Sequence, residues 1–186
     1  MSAIKLKENL WSVGVLNPSL RVFDIVMEAR YGTSYNAYLL TGEKNVLIET
    51  VHADYFGEYI DNIRQVLPLE QVDYLIMNHN EPDHSGSVAR LLELCPRLQV
   101  IATKAGVKHL KDITNLDLPC RAVAAGDTLD LGDRVLEFIP DPHAPLGRLH
   151  VHLGCGGQGG LYLRLPGLPL LRAHHAGPEY SRQVCL

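Results

Sequence analysis

The run His79-Asn80-Glu81-Pro82-Asp83-His84 places two imidazoles and two carboxylates in one short turn. It follows Val72-Asp73-Tyr74-Leu75-Ile76-Met77, an apolar run that reads as a buried strand. Ser85-Gly86-Ser87 comes next and reads as the opening of an amphipathic helix, with its cap at Ser85. A strand that ends in a ligand-rich turn and gives way to a helix predicts an α/β fold, where chemistry gathers at the C-terminal ends of strands. The four side chains are nitrogen and oxygen donors with no thiolate. That set suits iron, manganese or zinc rather than copper(I) or an iron–sulfur cluster. A polar surface loop with two solvated histidines is the competing reading, and the density of His-x-Glu-x-Asp-His argues against it.

Around this turn the first 141 residues alternate strand and helix patterns. Residues 10–16 and 21–27 read as paired strands joined at Asn17-Pro18-Ser19, and 35–40 and 45–50 as a hairpin turned by Gly42-Glu43-Lys44. Tyr55, Tyr59, Ile60, Ile63 and Val66 form a helical stripe over 55–67. Val88, Leu91, Leu92 and Cys95 mark a helix stopped before Pro96. A strand at 98–103, a helix at 105–113 and strands at 123–131 and 135–139 follow. Hairpins first and βαβα afterwards predict a mixed sheet covered by helices.

The net charge of −4 offers no basic face for nucleic acid or an anionic membrane. No apolar run is long enough to span a bilayer, and the N-terminus lacks a signal-peptide core, so a cytoplasmic location is expected. The scattered cysteines Cys95, Cys120, Cys155 and Cys185 form no Cys-x-x-Cys pair and carry no functional reading.

Composition changes abruptly near Pro142. From Pro142 to Pro178 there is no Asp, Glu or Lys, and Leu, Gly and His dominate. The stretch reads as lacking strand or helix periodicity, and Gly156-Gly157-Gln158-Gly159-Gly160 breaks any element there. Residues 142–186 are therefore expected to be an aberrant tail, out of frame or disordered. On that reading His150, His152, His174 and His175 are not ligands. His52 falls near the mouth of the site and His109 on a helix, and neither is assigned a role.

The ligand loop resembles the metal site of the metallo-β-lactamase superfamily, and more closely the lactamase-like domain of flavodiiron proteins. Hydrolytic members carry His-x-His-x-Asp-His; Glu81 stands here where they have the second histidine. Gly32-Thr33-Ser34-Tyr35-Asn36-Ala37-Tyr38-Leu39-Leu40 resembles the same family's early strand. The resemblance covers roughly residues 1–140. It implies an αββα sandwich, incomplete in this chain, with His79 and Glu81 on one iron and Asp83 and His84 on the other. It also implies O₂ or NO as substrate, and FMN on a following domain that this chain does not reach. A redox donor such as rubredoxin or a flavin reductase is implied, as is a homo-oligomer for the intact protein. Rival readings are a zinc hydrolase of the superfamily, thioesterase- or glyoxalase-like, and a non-enzymatic fragment.

The resemblance further implies a downstream histidine in a His-Trp-x-Asp segment, a bridging aspartate and a late histidine. None stands where expected. Written as degenerate codons and read one base later, His143 to His152 permit Met-Leu-His-Trp-Ala-Asp-Ser-Met-Phe-Thr. The same frame permits Glu-Asp-Lys-Val across Gly156 to Gly159 and an aspartate at Arg164. A shifted frame from about His143 is the expectation, leaving half of a di-iron site and a chain without activity.

Overall fold

The structure is a computed structural model that describes residues 2–23, 25–140 and 149–154. In chain order its elements are β1 (Ile4–Lys7), β2 (Leu10–Ser12), β3 (Val15–Asn17), β4 (Val22–Phe23), β5 (Met27–Glu28), β6 (Thr33–Tyr35), β7 (Tyr38–Leu40), β8 (Asn45–Ile48), α1 (Phe56–Arg64), β9 (Val72–Ile76), α2 (Pro82–Ser85), α3 (Val88–Leu94), β10 (Gln99–Thr103), α4 (Lys104–Thr114), β11 (Cys120–Val123), β12 (Thr128–Asp130), β13 (Val135–Pro140) and β14 (Leu149–Gly154).

Seven strands form one mixed sheet in the order β1-β2-β7-β8-β9-β10-β11. Its first pairs are antiparallel, and from β8 onward the strands run parallel. Val46, Leu47 and Ile48 of β8 are all fully buried. Successive strand side chains point to opposite faces, so such a run needs cover on both. One face supplies Leu39, Leu47, Leu75 and Val100 to a core shared with Phe56, Tyr59, Ile60 and Ile63 of α1, Val88 and Leu91 of α3, and Leu110 of α4. The other supplies Leu40, Val46, Ile48, Ile76 and Ile101, covered by Leu129, Leu131, Leu136 and Phe138 from a second sheet, β12-β13-β14. Helices, large sheet and small sheet are three layers of an αββα sandwich. Truncating one such residue, Leu47→Ala, removes about 2–5 kcal/mol.

The helices follow their patterns. Phe56, Tyr59, Ile60 and Ile63 repeat at helical spacing and are all buried. Thr103 caps α4 by accepting from Gly106 N, and Asn115 closes it in the left-handed region.

Four expectations are corrected. Residues 10–16 do not pair with 21–27. Val13 N and Gly14 N both donate to Ala37 O, and a Cβ on Gly14 would lie 2.2 Å from Tyr35 O. That close approach splits the strand, sending β2 to β7 and β3 to β6. β4 and β5 pair only with each other, around Ile25 and Val26, which are exposed. The helix cap is not Ser85, because Pro82 starts a helical turn within the ligand run and Ser87 precedes α3. Residues 123–131 are not one strand: Gly126, at φ +82, turns the chain, with Asp127 Oδ2 accepting from Ala124 N at 2.7 Å. Finally, Leu149–Gly154 is not without structure but pairs antiparallel with β13, Val151 opposite Phe138. Residues 141–148 and 155–186 lie outside the described residues, and with them His143, Cys155, His174, His175 and Cys185.

Candidate metal centre

Strands β8, β9 and β10 run the same way, so their C-terminal ends share one rim of the sheet. Chain leaving β9 there enters the ligand run. Pro82 at the first helical position presets the backbone for α2. The Ser85 hydroxyl reaches back to Asn80 O at 3.0 Å and Glu81 O at 3.1 Å, closing the turn. Thr50, just past β8, donates to the His84 carbonyl through both its N–H and its hydroxyl. On the far side, Gly86 packs so closely that a Cβ would lie 2.8 Å from Ala53 N.

The four candidate ligands fall into two pairs. His79 Nε2 is 2.9 Å from Glu81 Oε2, and His84 Nε2 is 3.4 Å from Asp83 Oδ2. The imidazoles meet edge to face with centroids 5.0 Å apart. Glu81 is half exposed whereas the His84 side chain is 9% exposed, so the turn has a solvent side and a core side. Among the described residues no group of three or more His, Cys, Asp or Glu converges closely enough to hold one metal ion.

Sequence reasoning missed Glu49. It is 4% exposed, directly after β8, and its Oε2 lies 3.3 Å from His84 Nδ1. Its other oxygen accepts from Asn78 N at 2.7 Å, and its carbonyl accepts from the Tyr59 hydroxyl at 3.1 Å. Burial, then Glu49 itself, pushes the Tyr59 phenol well above its ordinary pKa, so it remains a donor. Burial pulls His84 down, but Glu49, then Asp83 and Glu81, outweigh it and hold the imidazole above its usual pKa. Glu49 also sits at φ +64, a region that costs a side-chain-bearing residue about 1–2 kcal/mol. A carboxylate ending the all-apolar run Val46-Leu47-Ile48 was the available signal.

Of the other described histidines, His52 lies beside the end of the ligand turn, its carbonyl accepting from Ser87 Oγ at 3.5 Å. His52 stacks on Tyr35 at 5.7 Å and caps the 3₁₀ turn Ala53–Tyr55. His109 is exposed on α4. His150 and His152 stand opposite Ile139 and Glu137 on β14. Of the described cysteines, Cys95 is buried and Cys120 half-buried, both free.

Residues 33–150 match the family described as ODP family beta lactamase, a span that includes every residue of the ligand turn. The chain belongs to this family. The flavo-diiron protein FprA2 of Clostridium acetobutylicum is 58% identical over 144 residues, covering 76% of this chain and 36% of that protein. The type A flavoprotein fprA of Rhodobacter capsulatus is 35% identical over 134 residues, 70% of this chain and 31% of the relative. Among solved structures, the rubredoxin oxygen:oxidoreductase of Desulfovibrio gigas superposes with a TM-score of 0.78 at 30% identity, covering 82% of this chain and 38% of that one. The flavodiiron protein of Giardia intestinalis gives 0.75 at 26%, with 82% and 38% covered. The chain thus spans about a third of the length of these relatives. Among the described residues no helix is long and apolar enough to cross a membrane.

Proposed function

We propose that this chain is the ligand-loop part of a flavodiiron-type oxidoreductase, with His79 and Glu81 holding one iron and Asp83 and His84 the other. The intact protein would reduce O₂ to water or NO to N₂O. The observation that carries this reading is the division of the turn into two histidine–carboxylate pairs, at 2.9 and 3.4 Å. Each pair offers one nitrogen and one oxygen, a donor chemistry that fits iron. A carboxylate at Glu81 in place of an imidazole adds negative charge and favours Fe(III) over zinc. Glu49 faces His84 Nδ1, which leaves Nε2 as the nitrogen turned toward Asp83. Such an arrangement fixes ring orientation and raises ligand basicity. Bound iron would supply a redox-active centre that passes electrons from FMN and its donor to O₂ or NO.

Two donors per iron fall short of a complete site, and affinity depends on ligand number and a preformed fold. The chain as it stands therefore binds metal weakly and does not turn over. The missing ligands are proposed to lie in the shifted frame from about His143, and FMN and a donor such as rubredoxin or a flavin reductase to belong to the intact protein.

Anaerobic reconstitution with iron and zinc in competition, followed by elemental analysis, tests this. Retained iron supports the di-iron reading. Retained zinc with thioester hydrolysis transfers the chain to the hydrolases, and no retained metal makes it a non-enzymatic fragment. The nucleotide sequence across the Pro142 codon decides the frame: a shifted frame that does not spell the missing ligands ends that proposal.

A further inference from the structure

We propose that Asn80 is a positioning residue for the His79–Glu81 pair, fixing that half of the site against the first turn of α4 through the Gly106 carbonyl. This rests on the metal-ligating reading of the turn and adds what sets the geometry of one half.

Asn80 Nδ2 donates to Gly106 O at 2.8 Å. A carbonyl can only accept, so the side-chain amide must present its N–H to it. The orientation leaves Asn80 Oδ1 buried and without a hydrogen-bond partner. A buried orphan of this kind carries an uncompensated desolvation cost. It is tolerated where the rest of the group is held for another purpose. The opposite side of the contact is equally constrained. Gly106 N donates to Thr103 Oγ1 at 2.8 Å, which locks Gly106 to the helix cap. A Cβ on Gly106 would lie 3.1 Å from both Ala102 Cβ and Thr103 Oγ1 and 3.3 Å from Asn80 Nδ2. The approach of the turn to α4 therefore uses the room a glycine leaves.

Asn80 stands between His79 and Glu81 in the chain, and its carbonyl accepts from Ser85 Oγ at 3.0 Å. Both its side chain and its main chain are tethered. The other half is supported differently: Glu49 meets His84 Nδ1 at 3.3 Å and Thr50 holds the His84 carbonyl, both at the end of β8. The tether to α4 thus acts at Asn80, in the His79 half, while Glu49 at the end of β8 meets the His84 ring and also holds the entry to the turn through Asn78 N.

The full chain with Asn80→Ala or Gly106→Ala tests this from the two sides of one contact, with Glu49→Gln as the contrast. In metal-free structures of the variants, the 2.9 Å His79–Glu81 contact is expected to be lost while the 3.3 Å His84–Glu49 contact persists. Cobalt(II) titration followed by ligand-field absorption is expected to show one equivalent weakened about 10-fold or more by Asn80→Ala, with its band changed. Glu49→Gln is expected to weaken the other equivalent. A melting temperature within a few degrees of wild type separates this from unfolding, and Gly106→Ala, the milder change, carries the test if Asn80→Ala does not fold. Survival of the His79–Glu81 contact in the variants overturns the proposal, as does equal weakening of both equivalents. Failure of the wild type to bind cobalt(II) overturns the metal reading instead, and the metal-free structures still decide the role of Asn80.

Discussion

At the scale of single residues, Glu49 and Glu81 carry the most consequence. Glu49→Ala strips a buried imidazole of its partner and is expected to destabilise the chain by about 3–5 kcal/mol, read from urea unfolding. Glu49→Gln keeps the volume, so its main effect is expected on metal: a fall of about 10- to 100-fold in affinity, measured by equilibrium dialysis. Glu81→His restores an imidazole-rich set and is expected to shift the metal retained in iron–zinc competition toward zinc. The four residues stand out as ligand candidates because they fall within one six-residue run. Glu49 does not, because its partner His84 reaches it only once β8 and β9 lie side by side. Backbone strain and chemistry also coincide there: Glu49→Gly would relax φ +64 but delete the carboxylate.

Among the elements, local pattern decided what could be read. α1, β9, β10 and α4 were legible because their apolar periodicity agrees with their burial. β2 and β3 read as one strand because the kink at Gly14 is made by a distant carbonyl, that of Tyr35. β14 was missed although Leu149-His150-Val151-His152-Leu153 alternates strictly, because the glycines and the loss of acidic residues around it dominated the reading. Gly14→Ala is expected to cost about 1–3 kcal/mol by overpacking, seen as a lower thermal midpoint. The turn between β12 and β13 offers a pH test. Arg134 Nε donates to Asp133 Oδ2 at 2.9 Å, and Arg134 holds the Asp133 carboxyl below its usual range. A depressed folded pKa contributes stability above the unfolded value of about 3.9 that is lost as pH falls through the folded one. Asp133→Asn is thus expected to lower stability by roughly 0.2–1 kcal/mol near neutral pH, with the difference vanishing in strong acid, by urea unfolding at both.

For the molecule as a whole, the family and the layered fold were legible in the sequence, while completeness was not, since it turns on residues beyond the described ones. A gene encoding the shifted frame after Pro142 is expected to yield a protein that retains two irons and resists aggregation better than this chain, by elemental analysis and sedimentation. The direction of the parallel strands has a practical consequence. Glu49 leaves β8, the ligand turn leaves β9, and Thr103 with Gly106 leaves β10, all on one rim. The turns at 41–44 and 131–134 belong to the opposite rim. The molecule therefore has a working end and a handling end: a reporter, tether or electrode linker fused at the latter stays remote from the histidines, whereas the same insertion at the former would cut into the ligand turn's own supports.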